Sequence, residues 1–191
     1  MQIILDITLM LLVFEIACAV YIPSLMGEFV FDDMLIVERT EYTYHRRTGT
    51  DWKSLWRLLT FYRAKRALLY WTFRRDMLIH GRKDVIGWHV MNILIHGINS
   101  AQMYIIARSL FDMPYAFTAA AAFAVYPLSA SSVASISGRS SSLCQMFNLA
   151  SLLSFICGAW YLIPLWFYLG MKSKEEIVML PATLYLWWLL I

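Results

Sequence analysis

Charge is what this 191-residue chain has least of: Asp, Glu, Lys and Arg make up 15% of it, against 60% hydrophobic residues. Soluble domains run nearer about 25% charged and about 45–50% apolar. A protein of 22.2 kDa cannot hide that much apolar surface inside a globule, so lipid must cover part of it. The composition excludes intrinsic disorder, a collagen-like fibre and a free nucleic-acid-binding domain, and a net charge of +3 is too small to indicate a polyanionic partner. Cysteine is scarce as well. Cys18, Cys144 and Cys157 all lie in apolar stretches without metal-ligand spacing, which excludes a disulfide-rich scaffold and reads as packed thiols. There is no internal repeat, no low-complexity segment and no N-x-S/T sequon. The N-terminus, MQIILDITLMLLVF, has neither a basic leader nor a small-residue cleavage site, so it reads as a retained first span.

What is present in excess is apolar and aromatic: 8 Trp, 11 Tyr and 11 Phe. A membrane span needs about 20 mainly apolar residues. On that measure the chain is a single all-α integral membrane domain, residues 1–191, with about five transmembrane helices. They are expected at 3–25, 85–107, 115–128, 143–168 (with Pro164 as a possible kink) and 177–191, the last of them short. A long loop, 26–84, separates the first two. It holds 12 of the 16 basic residues and eight of the 13 acids. Within it, DWKSLWRLLTFYR and RALLYWTFRRDML set aromatic and aliphatic residues opposite Arg and Lys at helical spacing. Such segments suit amphipathic helices lying in the membrane interface; a small folded extramembrane cap is the alternative.

Polar groups inside or beside a span are costly and mark candidate sites. Asp6 lies near one end of the first span, where headgroup water is in reach, whereas Glu15 is deeper and needs a partner or a cavity. In WHVMNILIHGINS, His89, Asn92 and His96 share one helical face, and Asn99 and Ser100 continue it. That stripe must face protein or a wet cavity; it serves either a site or interhelical hydrogen bonding. Asp32 and Asp33, in EFVFDDMLIV, are adjacent carboxylates, of which one could act as proton acceptor, unless they simply mark a solvated loop. Arg139, in ISGRSSS, is a lone cation among small residues. It suits a phosphate contact or an interfacial anchor equally. No acid triad or His cluster suggests a metal, and no cofactor is expected.

Five blocks in order carry a resemblance: GEFVFDDMLIV, RALLYWTFRRDMLIHG, GWHVMNILIHGINS, VYPLSASSVASISGRSSSLCQMFNLASLLSF and KSKEEIVMLP. From about Gly27 to Pro181 the chain resembles the N-terminal half of the transmembrane O-mannosyltransferases that carry tetratricopeptide repeats, and their bacterial relatives. These belong to the GT-C superfamily of polyprenyl-phosphate-sugar-dependent glycosyltransferases. The resemblance implies a GT-C-like N-terminal module whose acidic pair is Asp32 and Asp33, one of them activating the acceptor hydroxyl or orienting substrate. It matches the family's loop arginine to Arg66, its His-Asn-His pattern to His89, Asn92 and His96, and its Gly-Arg to Gly138 and Arg139. Ser173, Lys174, Glu175, Leu180 and Pro181 match a further block. The family's Arg-Pro-Leu becomes Arg66, Ala67, Leu68; its His-Pro becomes Tyr126, Pro127; and a usual Glu becomes Ser131.

The implied function is transfer of a sugar from a polyprenyl- or dolichyl-phosphate carrier to a protein Ser or Thr hydroxyl. Asp32 or Asp33 would be the base, and Arg66, His89, Asn92, His96 and Arg139 would bind substrate or phosphate. The alternative is a catalytically silent subunit of a larger membrane complex built on the same fold. Expected partners are membrane lipid, the lipid-linked sugar and other membrane subunits, and not nucleic acid. The expected location is a bacterial inner membrane or the endoplasmic reticulum membrane. The positive-inside rule would place the basic loop in the cytoplasm, while the resemblance places it outside; the rule weakens for loops near 60 residues, and the expectation follows the resemblance.

Overall fold

A computed structural model describes residues 2–30, 32–46, 53, 56 and 66–190, and every regular element among them is helical. The segment DWKSLWRLLTFYR lies almost wholly outside the described residues. Helix α1 (Gln2–Tyr21) continues through a 3₁₀ turn (Ile22–Met26). Together they form one length of apolar helix able to cross a membrane; α4 (Val85–Arg108) forms the second. The Asp84 carboxylate opens α4 by accepting a hydrogen bond from the Gly87 amide at 3.2 Å, satisfying a donor that the helix cannot.

α4 is the central strut. On one side it packs against α1 and α5 (Met113–Ala124). Ala116, Ala120 and Ala124 recur every four residues, so they form one stripe, and that stripe is buried with Val13, Ala17, Tyr104 and Ala107. Small residues allow the backbones this approach. Gly97 does the same for α1: a Cβ there would stand 2.7 Å from the Phe14 ring and 3.0 Å from Cys18 Sγ. After α5 the chain bends by 41° into Pro127–Val133, so the expected third span ends at Ala124 as a straight helix; the bent pair taken as one makes a third crossing. Short α6 (Ala130–Val133) closes that segment.

On its other side α4 meets α7 (Arg139–Ile156) through Ile95 with Leu143 and Phe147, and through Ile106 with Leu149 and Leu152. The expected fourth span, 143–168, is not one helix. It stops at Ile156, turns through Gly158 at φ +72°, and resumes as α8 (Ile163–Met171), with Pro164 in its first turn. Glycine tolerates that φ, and proline fits a helix start, where its missing N–H costs nothing. α8 folds back along α7, stacking Trp166 on Phe147 and donating from Trp166 Nε1 to Ser154 Oγ at 2.9 Å. A 3₁₀ turn (Glu175–Met179) and α9 (Leu180–Leu190) complete the described chain.

Two helices cover the end of the bundle where α1 finishes and α4 begins. α2 (Asp32–Arg46) and α3 (Ala67–His80) bury Val37, Leu69, Phe73 and Met77 against Trp88 and Ile136. The segment expected to lie in the membrane interface, RALLYWTFRRDML, is thus α3, and Thr72, Phe73, Arg74, Asp76 and Met77 are all buried in protein. α2 falls in what the sequence suggested was loop; Asp32 and Asp33 stand in its first turn, where the helix dipole favours negative charge. The far end is chemically distinct. There Asp6 accepts from Arg108 Nε at 2.9 Å and from Tyr104 Oη at 2.8 Å, while Glu15 is exposed on α1.

Replacing Gly97 by Val forces α1 away from α4, and overpacking of this kind costs about 1–3 kcal/mol. Thermal unfolding in detergent is expected to show a lower Tm for Gly97→Val, and a Tm equal to wild type would contradict the close packing.

Candidate active site

The site end is organised around a buried cation. Arg139, the first residue of α7, is wholly buried. Its Nε donates to Asn92 Oδ1 at 2.7 Å, Nη2 to the Trp88 carbonyl at 2.8 Å and Nη1 to Thr72 Oγ1 at 3.3 Å. Nη1 also lies 2.5 Å from a carboxylate oxygen of Asp76, and Cζ stands 4.7 Å over the Phe73 ring. One guanidinium therefore joins α3, α4 and α7. Burial pushes the Asp76 carboxyl upward from its ordinary range, against the pull of Arg139.

Asn92 completes the link in the other direction, its Nδ2 donating to the carbonyls of Ser135 at 2.7 Å and Val133 at 3.3 Å. Asp33 holds the same strip from the α2 side. It is fully buried, accepting from the Ser137 amide at 2.8 Å and the Ser135 hydroxyl at 3.0 Å. Gly138 is required at the turn, since a Cβ there would come within 2.6 Å of Ser132 backbone atoms. The serine-rich run 131–141 is thereby shaped from behind.

In front of it lies a cavity of about 620 Å³. Asp32, Arg39, Arg66 and Lys174 line it with Ser131, Ser132, Ser137, Ser140 and Ser141. Asp32 is exposed, unlike its buried neighbour Asp33. Arg66 has φ +50° and is the one positive-φ non-glycine among the described residues, a conformation that collects at functional positions. Its Nε and Nη2 both donate to one Glu175 oxygen, at 3.1 and 2.8 Å, and that contact shifts the guanidinium upward. Lys174 Nζ donates to Ser141 Oγ at 2.8 Å and pairs with Glu176. Among the described residues, no three His, Cys, Asp or Glu side chains gather as a metal site.

Of the residues singled out in the sequence, the structure brings Asp32 and Arg66 to the cavity. Asp33, Asn92 and Arg139 stand behind its serine wall. His89 is buried one turn before Asn92, with neither ring nitrogen hydrogen-bonded to protein. His96 Nε2 donates to the Ala124 carbonyl at 3.0 Å; since a carbonyl only accepts, Nε2 carries the proton. Its ring packs edge-on to Tyr21 and flat on Phe123. Sequence reasoning missed Arg39, Asp76 and Thr72. For Asp76, the signal was an acid on the same helical segment as the aromatic face, and nothing local marked it among the loop's eight acids.

Against known proteins, no family model matches the chain, and no solved structure does. Curated relatives do. The human protein O-mannosyl-transferase TMTC4 is 32% identical over 165 residues, covering 76% of this chain and 22% of the relative. The chain resembles an N-terminal portion of the TMTC family. The Caenorhabditis elegans protein O-mannosyl-transferase F38B6.6 is 28% identical over 154 residues, covering 75% of this chain and 22% of its own length. Human TMTC1 is 31% identical over 146 residues, with 71% and 16% covered. The chain thus spans about a fifth of the length of the first of these relatives. All three are animal proteins, so the bacterial location gains no support from them. The apolar helices and these relatives together point to a membrane protein.

Removing one partner of a buried ion pair leaves an uncompensated charge and costs about 3–5 kcal/mol. Arg139→Met and Asp76→Leu are each expected to unfold well below wild type in detergent. The double variant Arg139→Met/Asp76→Leu should recover much of that loss, and additive losses would refute the pairing.

Proposed function

We propose that this chain forms part of a GT-C-like membrane glycosyltransferase that moves a mannosyl group from a polyprenyl-phosphate carrier to a protein Ser or Thr hydroxyl. The observation that carries this reading is the cavity, where one exposed carboxylate faces three cations and a row of hydroxyls. The relatives' name, protein O-mannosyl-transferase, supports the sugar and the acceptor. The proposed architecture keeps about five crossings in one domain, in the endoplasmic reticulum membrane, with the cavity on the side away from the cytoplasm.

Asp32 is the proposed base. Its carboxylate takes the proton of the acceptor hydroxyl as that oxygen attacks the anomeric carbon. The bond from this carbon to the phosphate oxygen breaks, the carrier phosphate leaves with the electron pair, and the configuration inverts. Arg66, Arg39 and Lys174 are the proposed phosphate contacts, since fixed cations aimed at developing charge lower the barrier most. Asp33 is a positioning residue that holds the serine run. In this reading Arg139, Asn92, His89 and His96 form the frame behind the reacting groups.

Positioned proton acceptors contribute about 10²–10⁴-fold in rate. Mannosyl transfer from a polyprenyl-phosphate donor to an acceptor peptide, measured with full-length protein in membranes, should fall by about 10²-fold or more for Asp32→Asn. Full activity in that variant, or no transfer by wild type alongside normal assembly into a larger complex, would instead favour the silent-subunit role.

A further inference from the structure

A second pocket, of about 280 Å³, opens beside the cationic cavity and shares Ser132 and Ser141 with it. Its chemistry is different. Asn99, Gln145, Ser129 and Ser142 give it uncharged donors and acceptors, and Phe123 and Tyr126 give it aromatic surface. Asn99 is 2% exposed; its Nδ2 donates to the Ser142 carbonyl at 3.0 Å, but its Oδ1 is buried with no protein partner. A buried acceptor left unmade costs about 1–3 kcal/mol. Such a group asks for a hydroxyl donor from a ligand. Gln145 is half-buried, and no hydrogen bond involves its side-chain nitrogen among the described residues.

Neutral amides and hydroxyls around an aromatic wall match a sugar ring, which presents hydroxyls at its edge and C–H groups on its face. The placement agrees with the reaction. In an in-line displacement at the anomeric carbon, the entering and leaving oxygens stand on opposite sides of that carbon, and the ring projects sideways from their axis. A cavity holding a base and phosphate contacts therefore needs a lateral recess for the ring. The Lys174–Ser141 hydrogen bond stands at the border of the two spaces, with Glu176 lining the recess and paired to Lys174. Resting on the transferase reading above, we infer that this recess is the subsite for the single hexose ring of the lipid-linked donor, with Asn99 and Gln145 reading its hydroxyls.

The test compares two ligands, polyprenyl-phosphate mannose and sugar-free polyprenyl phosphate, by fluorescence titration of the full-length protein in detergent. Gln145→Leu and Tyr126→Leu alter groups that the helix packing does not use. Each should weaken the mannosyl ligand about tenfold, roughly one good hydrogen bond or face contact, and leave the sugar-free ligand unchanged. Equal weakening of both ligands, or of neither, overturns the subsite while the carrier reading stands. Failure of wild type to bind either ligand overturns the carrier reading itself, and the subsite with it.

Discussion

The placement of the Arg139 guanidinium governs everything at the site end of this bundle. Moving an ion out of water costs several kcal/mol even after relaxation, and this one has no exposed surface at all. The protein meets the cost with a carboxylate and a hydroxyl from α3 and an amide and a backbone carbonyl from α4. Because each partner has a fixed direction, the arrangement sets how α3, α4 and α7 stand relative to one another. It also fixes the serine run, since Asn92 grips Arg139 with its oxygen and residues 133 and 135 with its nitrogen.

The division of labour between neighbouring like residues follows from that frame. Asp32 and Asp33 are adjacent in sequence and opposite in circumstance: one faces the cavity, the other is consumed by the Ser135 and Ser137 contacts. Arg66 and Arg139 divide in the same way. In the proposed transfer the residue spent on structure would serve the exposed one, because a wall held from behind needs no reorganisation when charge develops in front of it.

Hydropathy alone made α1 and α4 legible, and the three- and four-residue spacing of His89, Asn92 and His96 put them on one buried face as found. The fourth expected span was misjudged because an apolar run does not reveal a reversal; Gly158 and Pro164 mark the turn only once their roles as a positive-φ residue and a helix start are known. α2 escaped notice because its charges resemble those of a loop, although acids in a first turn are what a helix start favours. Asp76 was illegible for a deeper reason. Its importance comes wholly from an arginine 63 residues later in the chain, and no local pattern encodes a partner at that distance.

The Arg66–Glu175 contact spans 109 residues, and beside it the Leu68 amide donates to the Lys172 carbonyl at 3.0 Å. The cavity is therefore lined both by Arg66, just before α3, and by Lys174, more than a hundred residues later in the chain. Chains emerge from the ribosome at about 5–20 residues per second. The cavity accordingly stays open on one flank until residues 172–175 have been made, long after α1 and α4 are available to the bilayer. Closure of the cavity thus follows the synthesis of both helices that are long and apolar enough to cross a membrane.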